Sequence, residues 1–399
     1  MVSSQTPDKL GDNLFSRLVT LRRWFHQHPE LAFEEVNTAQ RIIAELEGLE
    51  IACDYAGVGH AVIGRIPGCD PGKKAIGLRA EMDALPGTES TGVPYASIYP
   101  GKMHACGHGA HMTMLIGAAN LMTRNPPPGP VSLIFQPAEE SGGGARTAIT
   151  DGALENVAAI FAGHVTHEYA TGQIMVRDGS VTSQSDRFLI QVRGKGGHGA
   201  RPHEAIDAIV ICGFLITALQ TLVSRETNPL HSAVVTIGKV RAGSAANVIA
   251  EEAELRGTIR TFRPEVRHNI HHGMERMISA VAELHNAVIE ISINEGYPPV
   301  INEPVATAVA RAAAREVAGI EHVVGSEFPS MGSEDFAYYL DHVRGAFVRF
   351  GARPPGWEPI PLHSPAFDID EKVLAVGTRF YDRVARLAHE QIEDPDNGV

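Results

Sequence analysis

Four short apolar runs constrain this chain more than any other feature, because each leads to a residue that can bind a metal or move a proton. AIGLRA ends at Glu81 and Asp83, VSLIFQ at Glu139 and Glu140, AAIFAG at His164, and GAFVRFGA precedes Leu362 and His363. Short continuous apolar runs read as strands buried on both faces. Chemistry placed at the carboxyl ends of such strands is the habit of open α/β sheets. The outer parts of the chain are therefore read as one α/β domain. Helices are predicted from near Asp12, where Leu14, Phe15, Leu18, Leu21 and Phe25 recur at helical spacing, and over TAQRIIAELEGL.

The middle follows another order. SDRFLIQVRGKGG reads as a strand, HEAIDAIVICGFLITALQTLV as a long helix, AVVTIGKV and EEAELRGTIRTF as strands, PEVRHNIHHGMERMISAVAELH as a helix, and AVIEISINEG as a strand. Strand-helix-strand-strand-helix-strand is a self-contained α+β unit of the split, ferredoxin-like type. With 399 residues the chain exceeds one ordinary core. The expected division is 1–183 and 297–399 for the outer domain and 184–296 for the insert.

A net charge of -13 without a basic run argues against nucleic acid and anionic membrane as partners. The first residues lack the basic start and apolar stretch of a signal peptide. No segment reads as a run of the roughly 18–20 apolar residues that a membrane helix needs. Cys53, Cys69, Cys106 and Cys212 have no disulfide-framework spacing, so a reducing cytoplasm is expected. The tail IEDPDNGV reads as frayed.

HACGH places Cys106 and His108 two apart, so in an extended loop both would face one side. Thiolate and imidazole suit zinc or a similar metal. Alone, a Cys-x-His pair is more often structural. FQPAEE supplies adjacent carboxylates, which in an extended segment would face opposite sides, one for a metal and one for water. Alone, these are more simply two solvated acids at a helix start. Cys106, His108, Glu140, His164 and His363 together, with the spare carboxylate of Glu139, suffice for two adjacent metals with positions left for water.

The sequence resembles the dinuclear-metal amidohydrolases that include aminoacylase, carboxypeptidase G and the hippurate and indoleacetyl-amino-acid hydrolases. The resemblance rests on HQHPELAFEE, LRAEMDALP, MHACGH, FQPAEE, GGHGARPHEAIDAI, NVI, RGTIRTF, GSEDFAYY and LHSPAFDIDE, in order along nearly the whole chain. It implies a catalytic α/β domain with an inserted α+β dimerisation or lid domain, a homodimer, and two divalent metal ions per subunit. It makes Cys106, His108, Glu140, His164 and His363 the metal ligands and Glu139 the general base. It makes Asp83 the residue that orients a histidine or tunes Glu139. His198 would reach the partner subunit's site, and Asn247 and Arg260 would grip a substrate carboxylate or carbonyl. The bland reading of these last three is a hydrogen bond or surface charge within the insert. The metal is left open among zinc, manganese, cobalt and nickel.

Gly109 stands where the family usually has an aspartate, and Glu81 where it has a shorter acid. Ala250 replaces a proline after NVI, and His167 lies at the expected rim of the site, where the usual HxxP is missing. The implied reaction is hydrolysis of the amide of an N-acyl or N-aroyl amino acid, a small-molecule substrate. Hydrolytic deamination of an aromatic acid, a cysteine hydrolase using Cys106, and a binding protein that kept the fold are the alternatives.

Overall fold

The computed structural model of the protein describes residues 10–392, so all of the tail but Ile392, and the first nine residues of the opening read for a signal, lie outside it. The chain forms two compact units. The first comprises the described residues up to Val181, Val300–Phe328 and those from Glu334 onward. The second comprises Thr182–Pro299 with Pro329–Ser333. The 184 and 296 boundaries expected from sequence omit that return segment. It belongs to the second unit because Ser183 N donates to the carbonyls of Ser330 (3.0 Å) and Gly332 (2.9 Å).

The first unit is built on a mixed eight-stranded sheet. At its centre Val131–Gln136, Ala75–Glu81, Val157–Ala170 and Arg344–Arg353 lie side by side and parallel. The Ala75–Glu81 and Val131–Gln136 strands are buried at every position, as expected for parallel strands covered on both faces. Helices Asp12–Gln27, His108–Arg124 and Val373–Gln391 pack into the same apolar core. His164 is not past the end of its strand, as AAIFAG suggested, but inside it. The strand is longer than its apolar run because it pairs with Arg344–Arg353 along most of its length, with Arg349 opposite His164. Its pairing with Ala75–Glu81 stops at Ala162. His164, two residues past that last pair, therefore lies level with Glu81 at the carboxyl end of the neighbouring strand.

The second unit is an antiparallel sheet in the order Ala233–Ala242, Glu252–Thr261, Gln184–Arg193, Val288–Glu295. Numbered along the insert this is 2-3-1-4, the ferredoxin-like arrangement. Inward residues alternate along Gln184–Arg193, where Phe188, Ile190 and Val192 are buried. They meet helices Ala208–Thr221 and Pro264–His285 in a separate core. Asp207 caps the first of these helices, accepting from Ile209 N and Val210 N. This helix corrects the expectation that no segment is long and apolar enough to cross a membrane. Ala208–Glu226 meets that test by length and composition. One face, with Ile211, Leu215 and Leu219, packs on the unit's own sheet, while Ile209, Val210 and Phe214 are exposed.

Candidate metal centre

The HACGH segment brings its ligand-type residues together by a bend, not by the extended alternation inferred from spacing. Gly107, at φ 90°, precedes helix His108–Arg124 in left-handed geometry. A Cβ there would stand 2.3 Å from Val165 Cγ2, so only glycine fits. The imidazole of His108 has Nδ1 2.8 Å from the Asp83 carbonyl oxygen and 3.3 Å from Asp83 Oδ1. Its Nε2 is buried and makes no hydrogen bond. His164 donates from Nδ1 to the Val165 carbonyl at 2.7 Å and turns Nε2 toward Cys106 Sγ at 3.2 Å. When neutral, both rings would therefore keep the proton on Nδ1 and turn the Nε2 lone pair toward the cluster.

Donor atoms of Cys106, His108 and His164 lie within 4.8 Å of one another, as do those of Cys106, Glu140 and His363. Cys106 is common to both groups. His363, at φ 68°, is positioned by its own N–H donating to Ala105 O at 2.9 Å and has Nε2 3.1 Å from Glu140 Oε1. Glu139 does not face away from Glu140, as an extended segment would require. Ala138 is left-handed at φ 51°, and both carboxylates cluster with His108 within 4.8 Å. Asp83 touches two of these residues: besides His108, its Oδ2 accepts Glu140 N at 2.9 Å. Nitrogen, sulfur and carboxylate donors converging around an unpartnered buried ring nitrogen fit a centre for divalent metal.

Charge in this cluster is unbalanced. Burial, then Glu334 and Glu140, push Glu139 well above the usual carboxylate range. Burial, then Glu140 and Glu139, push the Cys106 thiol up. His108 moves the other way: burial opposes its charge, but Asp83, Glu81 and Glu140 outweigh it and lift the imidazole to about 10. Ligands of this kind hold protons that a metal must displace.

A network beside the centre was not assigned from the sequence. Arg79, fully buried, donates from Nε to Gln136 Oε1 (2.9 Å) and from Nη2 to Glu334 Oε1 (2.9 Å) and Asp335 Oδ1 (2.7 Å). Its Nη1 donates to Glu81. The other Glu81 oxygen is 2.7 Å from His111 Nδ1, and His111 Nε2 accepts from Val165 N at 2.9 Å, next to His164. Glu334 and Asp335 share a cluster with Glu139. An arginine inside an apolar strand run was the available signal, since such a charge is buried only when paired. His167 is also placed differently from expectation. It is 2% exposed, with Nε2 donating to Asp368 O (2.8 Å) and Nδ1 accepting from Ile360 N (3.1 Å). It braces the loop that carries His363 and is not on a rim.

His198, Asn247 and Arg260 belong to the second unit. His198 is exposed on the Gly197–His198 strand, opposite Val248, and its Nδ1 accepts Ala200 N at 3.1 Å. Asn247 is exposed, its carbonyl accepting Gly199 N at 2.9 Å. Arg260 donates to Ser333 Oγ at 2.7 Å.

Strand-end acids, a shared cysteine and three histidines define a metal-dependent hydrolase site, and comparison with known proteins agrees. The sequence model of peptidase family M20/M25/M40 matches residues 77–387. N-acetyl-L-cysteine deacetylase of Bacillus subtilis is 40% identical over 382 residues, covering 94% of this chain and 89% of the relative. IAA-amino acid hydrolase ILR1-like 4 of Arabidopsis thaliana is 38% identical over 395 residues, covering 96% and 89%. The crystal structure of the Bacillus subtilis YXEP protein, described as a dinuclear metal binding peptidase, superposes with a TM-score of 0.83 at 36% identity, covering 95% of this chain and 99% of that one. The chain belongs to peptidase family M20/M25/M40 and is a metal-dependent amidohydrolase.

Proposed function

We propose that the protein hydrolyses the amide bond of an N-acyl or N-aroyl amino acid, releasing a carboxylic acid and the amino acid. One observation carries this reading: the two donor groups Cys106, His108, His164 and Cys106, Glu140, His363 share a sulfur, with Glu139 beside them. These residues would hold two divalent ions, and the Cys-His-His set suits zinc. Bound there, the ions supply Lewis acidity toward water and the amide carbonyl. Glu139 takes the proton of the attacking water and returns it to the leaving nitrogen. Asp83 keeps His108 in its ligating tautomer through the Nδ1 contact. The names of the deacetylase and the auxin-conjugate hydrolase support an N-acyl amino acid as substrate. Asn247 and Arg260 are assigned to its carboxylate or carbonyl.

The working unit is a cytoplasmic homodimer in which His198 of one copy completes the partner's site and stabilises the oxyanion. Free Cys53, Cys69, Cys106 and Cys212 suit a reducing compartment. For the dimer, the support is an uncovered apolar face. Ile209, Val210 and Phe214 are exposed on helix Ala208–Thr221, and Val234 and Val240 on the edge strand Ala233–Ala242.

The test is a turnover screen over N-acetyl, N-benzoyl and indoleacetyl amino acids, with zinc, manganese, cobalt or nickel returned to chelated protein. Glu139→Gln should keep its metal and lose about 10²- to 10⁴-fold in rate, the typical contribution of a positioned base. Near-normal turnover by that variant removes Glu139 from the role.

A further inference from the structure

We propose that Phe33 is the wall against which the apolar acyl half of the substrate packs, and that it sets a preference for aromatic over small acyl groups. This rests on the amide-hydrolase reading above and names which part of the substrate meets which side chain.

The segment carrying Phe33 is fastened to both strand ends that bear the centre's carboxylates. Ala84 N donates to Glu30 O at 2.8 Å, and Leu31 bridges Ala84, the residue after Asp83. Glu35, itself buried, accepts Ala138 N at 2.8 Å, the residue before Glu139. Between these anchors Phe33 adopts φ 64°, a conformation unfavourable for a bulky L-residue. Held there, Phe33 is 39% exposed and is not part of the adjacent core. It lies on Gly142, where a Cβ would stand 2.3 Å from Phe33 Cε2. Gly142 is two residues beyond Glu140, so its Cα is within about 7 Å of the ligand's.

The charged residues next to Phe33 in sequence bear on which half of the substrate it meets. Glu34 and Glu35 flank it, and the cation against Glu34, Lys102, is paired with it at 3.0 Å. An amino-acid carboxylate finds no free counter-ion in this set, whereas an uncharged apolar acyl group finds an exposed aromatic face.

The test compares wild type, Phe33→Ala and Phe33→Tyr, each metal-loaded, on the N-acetyl and N-benzoyl derivatives of one amino acid. Phe33→Ala should lower kcat/KM for the benzoyl substrate by about threefold to tenfold, the scale of a lost aromatic contact. The loss should lie in KM, with the acetyl substrate within about twofold, and Phe33→Tyr should restore the wild-type ratio. An equal loss on both substrates, or no change on either, overturns the assignment. If wild type hydrolyses neither, the amide-hydrolase reading fails, and the wall is then judged by calorimetric binding of benzoate against acetate. Benzoate binding weakened by Phe33→Ala while acetate is unaffected supports it; equal effects overturn it.

Discussion

Replacing Arg79 by methionine should destabilise the first unit by about 4 kcal/mol at pH 8, because this change removes the guanidinium that Glu81, Glu334 and Asp335 share. Arg79 is 0% exposed and touches Glu81, Glu334, Asp335 and Gln136. Methionine matches much of the side-chain length, so the change is mainly in charge and hydrogen bonding. Removing one partner from a buried ionic network typically costs about 3–5 kcal/mol, since the remaining charges are left unpaired. The pH dependence identifies the cause. In the wild type, Glu81 is held well below the usual carboxylate range: burial opposes this, but Arg79 and His111 outweigh it. Asp335 is already pushed well up by burial despite Arg79. Without the guanidinium all three carboxylates move up in the folded state. The part of the loss that comes from Glu81 fades only as pH falls through that carboxylate's own depressed range, whereas the part from carboxylates pushed up begins above about pH 4 and grows as pH rises, so the total is larger at pH 8 than at pH 5. Thermal unfolding followed at pH 5 and pH 8 checks this. A loss of about 4 kcal/mol corresponds to a fall of roughly 8 °C in Tm, taking about 2 °C per kcal/mol for a large domain. A Tm within about 2 °C of wild type at pH 8, or an equal fall at both pH values, refutes the reasoning. Arg79→Lys should recover only part of the loss, because an ammonium cannot span the planar fork.

Cys106→Ser should lower metal content measured by elemental analysis, since the shared sulfur belongs to both donor groups and a hydroxyl is a poor substitute for thiolate. An acyl group trapped on Cys106 in the wild type would contradict the ligand role. For His198, mixing inactive His198→Ala with inactive Glu139→Gln subunits should restore up to roughly a quarter of wild-type activity, because half of randomly mixed dimers hold one intact site. Demonstrated subunit exchange with no recovered activity refutes action in trans.

What was legible in the sequence follows from how local the signals are. Strands with every residue buried announce themselves as apolar runs, and so Ala75–Glu81 and Val131–Gln136 fall where AIGLRA and VSLIFQ place them. Alternation likewise marks Gln184–Arg193. The bends were not legible. Spacing alone treated Cys106 with His108, and Glu139 with Glu140, as points on extended chain. Gly107 and Ala138 take left-handed conformations that redirect them. Ala138 carries no sequence mark of this, and its amide is held by Glu35, from a distant segment. The Arg79 network was hidden for the same reason. Its acids come from positions 81, 334 and 335, and nothing local at Glu334 or Asp335 indicates that a buried guanidinium awaits them. His167, likewise, looks like a variable rim residue until the backbone of Ile360 and Asp368 is seen to close on it.

Gly109 is where these two kinds of information meet. As sequence, it is a missing acid beside a ligand, and Glu81 is an acid longer than the family's usual one. In the structure Glu81 is committed elsewhere, one oxygen to Arg79 and the other to His111. The position of Gly109 is accounted for by packing. A Cβ there would stand 3.3 Å from Phe25 Cβ and 3.8 Å from both Arg22 O and His26 N. One further stripe position along the same helix, Gly117 would place its Cβ 2.9 Å from Leu18 Cδ1 and 2.4 Å from Thr378 Oγ1. Gly109 thus faces helix Asp12–Gln27, and Gly117 faces both Leu18 of that helix and Thr378 of helix Val373–Gln391. Any side chain at 109 would press its Cβ on Phe25, which must give by a few tenths of an ångström. The glycine thus belongs to the packing that sets the helix, and through the helix its first residue, His108. Glu139 and the two donor groups that share Cys106 remain assembled beside it, which weighs against reading this departure as the mark of a binding protein that has lost its chemistry.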